Sequence, residues 1–232
     1  MPDFFADSLD AGRAALSAED SHHALRVLRL KPGDALRVSI HGRRYGAVLE
    51  AEGGRAFARL GQEMNSSEAR TRITLYQGWP KGDKMDQIVR QATELGVHAI
   101  MPVLFTRCVA RPEQPDKKVE RLNRIAREAA MQSGRTLIPE VGLPILAAGL
   151  PERLARHELA LVAYELEGSR KLVDVAHGAL DTALVIGPEG GLTEEEIALM
   201  GALPVTLGPR ILRTETAGIA AIAMLLALNY DD

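Results

Sequence analysis

The chain has a single cysteine, Cys108, so it cannot form an intramolecular disulfide, and that scarcity fits a reducing compartment. A lone cysteine of this kind reads first as a small core residue. Aromatic residues make up only 4% of the sequence, which leaves leucine, valine, isoleucine and alanine to fill a core. No apolar run approaches the ~20 residues needed to span a bilayer. The opening MPDFFADSLD has neither a basic segment nor an apolar one, so no secretory signal is expected and the cytoplasm is the expected location. The sequence has no GxxxxGK[ST] run, which argues against Walker-type nucleotide hydrolysis, and no GxGxxG spacing. His22 and His23 lack further ligands at metal spacing, so no metal site is expected. The sequence also shows no strong general-base signature such as a histidine–carboxylate pair, no internal repeat and no low-complexity tract.

What is present is concentrated near the C-terminus. Leu184-Val185-Ile186 is a short apolar run suited to a buried parallel strand. Gly187-Pro188-Glu189-Gly190-Gly191 breaks it with three glycines in five residues, which lets backbone approach a ligand closely. Thr193 to Glu196 is a capping box that opens a helix. Pro204–Leu207 reads as another strand, Gly208-Pro209-Arg210 as a second turn, and Thr214–Leu228 as a closing helix. Two glycine turns at strand ends form the kind of crevice where α/β sheets bind ligands. Glu189 would repel a pyrophosphate and suits a neutral or cationic ligand with hydrogen-bonding edges.

At 232 residues the chain fits one large or two modest domains. Its net charge of −3 is unevenly distributed. Residues 21–59 carry eight Lys/Arg against three acids, and residues 107–135 eight against four, whereas residues 136–232 carry six against fourteen. That asymmetry points to an anionic partner on two basic patches. Residues 1–70 read as a small β-rich barrel or sandwich: an amphipathic helix over 21–30, then strands at 35–40, 45–51 and 55–60 with glycine turns between them. Arg26, Arg29, Lys31, Arg43 and Arg44, the last two at a turn tip, are candidate phosphate contacts. Residues 62–68 read as a linker. The second domain, 71–232, alternates strands at 71–77, 98–104, 159–164 and 183–186 with helices from Asp83 to Gly96 and over 116–131. Arg121, Arg124 and Arg127 recur every third residue on a basic flank of the second helix and could track a nucleic-acid backbone.

The segments KGDKMDQIVRQATELGV, EAAMQSGR, LVIGPEGGLTEEEI and LGPRILRTETAGIAAIAML resemble the RsmE-type 16S ribosomal RNA (uracil-N3) methyltransferases of the SPOUT superfamily. HHALRVLRLKPGD resembles the start of that family's PUA-like domain. The family usually has arginine before its paired aromatics, where this chain has Asp3, and often EQSGR where this chain has Met131-Gln132-Ser133-Gly134-Arg135.

The resemblance implies an α/β parallel sheet whose C-terminal segment is tied in a trefoil knot, preceded by a PUA-like RNA-binding β-barrel. It implies S-adenosyl-L-methionine as cofactor, held by Gly187, Pro188, Glu189, Gly190, Leu207, Gly208, Ile211, Leu212, Thr214, Thr216 and Ala217. The implied partners are 16S rRNA within the small ribosomal subunit and a second copy of the chain, with no membrane and no metal. The implied chemistry passes a methyl group to N3 of a uridine near the decoding centre. Charge then gathers on the flanking carbonyl oxygens, where a cation stabilises it. Arg135 and Arg213 are the candidate cations, and Glu189 is either the base or a structural or charge-balancing residue. The competing readings are a ribose 2′-O RNA methyltransferase, a non-catalytic RNA-binding assembly factor and a small-molecule methyltransferase.

Overall fold

The computed structural model describes residues 1–229, which divide into two compact units: 1–68 with 130–137, and 69–129 with 138–229. The first unit thus takes in a segment, 130–137, that the sequence places in the second domain.

The first unit is a closed barrel of five strands, β1 (Asp3–Asp10), β2 (Arg13–Leu16), β3 (Ala35–Ile40), β4 (Arg43–Glu52) and β5 (Arg55–Met64). Its order is β1-β2-β5-β4-β3, and the parallel pairing of β1 with β3 closes it. The hairpins turn at Ala11-Gly12, His41-Gly42 and Gly53-Gly54, each with positive φ at both residues. That geometry matches the right-handed twist of the flanking strands. Phe4, Leu16, Leu36, Val38, Leu49 and Ala58 fill the interior by period-2 alternation.

The helix expected over 21–30 lies earlier and is split. Ser17 caps helix α1 (Ala18–His22) by accepting the Asp20 N–H at 3.0 Å, and a π-helical turn over His23–Val27 follows. Arg29, at φ 55°, ends it.

The second unit is built on a parallel sheet of β6 (Arg72–Gly78), β7 (Ala99–Leu104), β8 (Glu140–Val141), β9 (Ile145–Leu146), β10 (Leu159–Ala163), β11 (Asp181–Ile186) and β12 (Leu203–Val205). The strand order is β12-β10-β11-β6-β7-β8, with β9 also on β7. Neighbouring residues of β11 serve opposite faces: Leu184 and Ile186 join one core, Ala183 and Val185 the other. A strand buried on both faces needs helices on both sides. Helices α2 (Lys84–Leu95) and α3 (Pro115–Ser133) supply them, with the short α4 (Leu150–Leu154), α5 (Leu172–Val175) and α6 (Glu194–Met200), and α7 (Thr214–Leu228). Gly96, left-handed at φ 111°, stops α2 where the sequence places the stop. Asp83 is the N-cap residue of α2, but its side chain makes no capping bond.

Candidate active site

Parallel strands deliver their C-terminal ends, and the loops after them, to one edge of a sheet. There the loops after β10, β11 and β12 and the starts of α2 and α7 enclose a cavity of about 1020 Å³. Its wall is built around the turn Gly187–Gly191.

The turn is placed by close approaches that tolerate no side chain. A Cβ on Gly78, the last residue of β6, would lie 2.5 Å from the Pro188 nitrogen and 2.8 Å from the Gly187 carbonyl carbon. One on Gly190 would lie 2.8 Å from the Arg107 carbonyl oxygen. The Arg107 guanidinium in turn donates to the carbonyls of Gly190 and Leu192, each at 3.3 Å. Beyond the turn, Thr193 and Glu196 form the expected capping box. The free oxygen of Glu196 accepts the Thr106 N–H at 2.8 Å, tying the start of α6 to the loop after β7.

A chain of side-chain hydrogen bonds joins three elements beneath the cavity. Gln77, fully buried in β6, donates from Nε2 to Thr214 Oγ1 at 2.9 Å, and Thr214 Oγ1 donates to the Gly187 carbonyl at 2.6 Å. Thr214→Val keeps the shape and removes both bonds, leaving the Gly187 carbonyl without that donor and Gln77 Nε2 with only its bond to the Gly78 carbonyl, at 3.1 Å. The expected cost is about 1–3 kcal/mol, read as a lower midpoint in denaturant unfolding with an unchanged slope.

One charged cluster on the cavity wall forms around Glu189. Lys84 Nζ lies 3.0 Å from Glu189 Oε1 and 3.2 Å from Glu215 Oε2, and the Lys81 N–H donates to Glu189 Oε1 at 3.1 Å. Burial works to raise the Glu189 pKa. The Lys84 ammonium and the backbone N–H groups of Glu189 and Lys81 outweigh it and hold the carboxyl below its usual range. The same hydrogen bond to Glu189, aided by Glu215, pushes the Lys84 ammonium up. Glu167, which also lines the cavity, is driven to about 2, chiefly by the Ser169 hydroxyl and then by the backbone N–H groups of Arg170 and Ser169.

Of the cofactor candidates, Pro188, Glu189, Gly190, Leu207, Gly208, Ile211, Leu212, Thr214 and Ala217 line the cavity. Gly187 is held by its carbonyl, and Thr216 is exposed with its N–H bonded to the Arg213 carbonyl. The three catalytic candidates separate. Glu189 lines the cavity, and so does Arg213, exposed at the N-cap of α7. Arg135 does not: it is only 5% exposed and is locked to Glu68 in the first unit, with NH2 to Oε2 at 2.5 Å.

Arg26, Arg29, Lys31 and Arg43 are exposed on the first unit, Arg43 with a partner in Glu63. Arg44 is a correction. The turn is His41-Gly42 alone, so Arg44 falls inside β4, opposite Ser39 and on the face away from the Val38 and Ala47 core, where Asp3 at 3.9 Å and Gly134 cover it to 8% exposure. Asp3 also pairs with Arg37 at 2.5 Å, so it is a shared counter-charge for two arginines on the outer face of the barrel. On α3, Arg121 forks onto Asp86, 3.1 Å from NH1 to Oδ1, and Arg124 is exposed beside Glu120.

Lys84, Gln77 and Arg107 were not singled out from the sequence. Arg107 had a usable signal, since it closely follows a parallel strand on the edge where ligands bind. Gln77 had none, because a glutamine ending a strand looks like any polar residue.

A family model described as an RNA methyltransferase domain matches residues 67–226, and one described as an RNA methyltransferase PUA domain matches residues 16–60. The chain is similar to ribosomal RNA small subunit methyltransferase E of Mycobacterium tuberculosis, 34% identical with 97% of this chain and 91% of the relative covered. The protein of that name from Bacillus subtilis is 34% identical, with 95% and 91% covered. Among solved structures, a ribosomal RNA small subunit methyltransferase E from Neisseria gonorrhoeae bound to S-adenosyl methionine superposes with a TM-score of 0.87, at 34% identity and 98% coverage of both chains. A putative methyltransferase from Legionella pneumophila, in complex with the same cofactor, gives 0.86 at 31% identity, covering 98% of this chain and 97% of that one.

The cavity fits such a ligand. It has the volume for a nucleoside joined to an amino acid. Leu172, Val173, Val205, Leu207 and Leu212 line an apolar part suited to a planar base, and Glu189 brings a carboxylate suited to a positive centre.

Proposed function

This chain belongs to the ribosomal RNA small subunit methyltransferase E family, and from that premise we propose that it transfers a methyl group from S-adenosyl-L-methionine to N3 of a uridine in 16S rRNA. The observation that carries the reading is the cavity at the Gly187–Gly191 turn, closed by glycines that cannot be replaced and fitted with a charged end.

When bound, the cofactor supplies an electrophilic methyl group on a sulfonium sulfur. The residues of the chain do the rest. The bond chain from Gln77 through Thr214 to Gly187 fixes the turn, and Arg107 clamps its far side. As N3 gives up its proton to solvent water and takes the methyl group, negative charge spreads onto the two carbonyl oxygens of the base, and Arg213, which lines the cavity, is the cation we assign to receive it. Glu189 is not assigned as the proton acceptor, because a carboxyl held below its usual range is a weak base at neutral pH. Its part is electrostatic. A depressed carboxyl stays charged down to pH values below its ordinary 4.5, so cofactor affinity is expected to stay flat from about pH 8 to about pH 5. Titration calorimetry across that range checks it; a loss of affinity centred near pH 6 would count against the assignment.

The substrate reading draws on the exposed cations of the barrel, Arg26, Arg29, Lys31 and Arg43, which suit phosphate contacts along RNA, and on Arg121 and Arg124 of α3. The location proposed is the cytoplasm, where a small ribosomal subunit would be met. We also read the C-terminal segment as knotted. β12 lies at the sheet edge beside β10, whereas α7 packs on β11, β6 and α2, so residues 206–213 cross back over the strand ends. A homodimer is part of the reading too. α7 carries one charged residue, Glu215, and Ala223 and Ala227 are exposed outside its buried stripe, an apolar face suited to a second copy.

The test is transfer of a labelled methyl group to small ribosomal subunits that lack their own modification, with free 16S rRNA alongside. Label in 16S rRNA supports the reading. Cofactor binding with no label in either substrate would redirect it to another RNA.

A further inference from the structure

Lys84 is the first residue of α2, an end where the helix dipole disfavours a cation. Local departures of this kind concentrate at functional sites. The ammonium is nevertheless fixed there, 3.0 Å from Glu189 and 3.2 Å from Glu215. Glu215 Oε2 is buried and accepts no hydrogen bond among the described residues, so its contact with Lys84 is an ion pair alone. Within this cluster two carboxylates and one ammonium sum to one negative charge, and Lys84 and Glu189 carry it onto the cavity wall.

The cavity sorts its ligand by polarity. The neutral, planar part belongs among Leu172, Val173, Val205, Leu207 and Leu212. Glu165, Glu167, Lys171, Arg210 and Arg213 also line the wall, and we place the sulfur beside the glycine turn, at Lys84 and Glu189. Resting on the cofactor reading above, we infer that Lys84, Glu189 and Glu215 form a charge-reading element for the sulfur of the cofactor. It favours the sulfonium of the methyl donor over the neutral thioether left after transfer. Lys84 sets the strength of that preference: it cancels one carboxylate, so the cluster attracts one positive charge without holding two. Once the methyl group has left, the attraction at the sulfur is gone, and the spent cofactor keeps only the contacts that both forms share.

The experiment is calorimetric titration of the full-length protein with three probes of one shape. S-adenosylmethionine carries a sulfonium, sinefungin an ammonium near the same place, and S-adenosylhomocysteine neither. Glu189→Gln is expected to weaken the two charged probes about tenfold, the size of one unit charge acting across a few ångströms of partly screened protein. The neutral probe is expected to change by no more than about twofold. Lys84→Met, which unmasks the second carboxylate, is expected to shift the ratio the other way, so the test survives if Glu189→Gln fails to fold. Parallel weakening of all three probes in both variants would overturn the inference, because a merely structural role makes no distinction by charge. Failure of the unaltered protein to bind any of the three would overturn the cofactor reading, and the inference with it.

Discussion

Gly78→Ala is expected to reduce cofactor binding and methyl transfer by at least about a hundredfold, the scale of loss that a displacement of ~1 Å produces at a reacting centre. The added Cβ would meet backbone, at 2.5 Å from the Pro188 nitrogen and 2.8 Å from the Gly187 carbonyl carbon, so no side chain can rotate away to relieve it. The end of β6 and the start of the turn after β11 must separate. That movement pulls the Gly187 carbonyl away from Thr214 Oγ1, now 2.6 Å distant, and opens the wall on which Pro188 and Glu189 sit. The stability cost is expected near the upper end of the ~1–3 kcal/mol usual for overpacking. Calorimetry for cofactor affinity, beside a denaturant melt, separates the two effects. Gly82→Ala is the control: Gly82 sits in the loop just beyond β6 with open space around its Cβ, so its cost is confined to a left-handed backbone at φ 69°.

The second large effect concerns stability. Glu68 accepts from Arg135 through Nε and NH2, and also from the backbone N–H groups of Thr136, at 2.8 Å, and Leu137, at 3.1 Å. It thereby pins the segment 130–137 into the first unit. Removing one partner of a buried pair strands the other charge, so Glu68→Ala is expected to cost about 3 kcal/mol, the lower end of the usual range because Glu68 keeps some exposure. Arg135→Met should destabilise in the same direction. The double variant should cost clearly less than the two added together, since each single change already breaks the shared interaction. Denaturant melts of the three proteins check this. If Arg135 acted on substrate instead, Arg135→Lys would abolish transfer at temperatures where the fold is intact, while Glu68→Gln would leave it unchanged.

Much of the site was legible because its signals are local. Gly187 to Gly191 breaks an apolar run, Thr193 and Glu196 stand three apart, and Gly96 follows the last apolar position of α2; each reports on a few adjacent backbone angles. The parts not legible are those in which two distant residues share a job. Glu68 and Arg135 are 67 residues apart and look, one at a time, like surface charges. Lys84 meets Glu189 across 105 residues, and nothing near Lys84 announces its partners. Arg44 belongs with them: it lies in β4 on the barrel's outer face, and what buries it there is Asp3 and Gly134, residues far away in the sequence. β1 escaped for a related reason, since its pairing with β3 closes the barrel and depends on residues more than 30 positions away.

The most direct test of the central claim is nucleoside mass spectrometry of 16S rRNA after methyl transfer to unmodified small subunits. The account predicts one new 3-methyluridine. A methyl group on a ribose 2′-oxygen would contradict it: the cofactor site would stand, but the acceptor atom and the role given to Arg213 would be wrong.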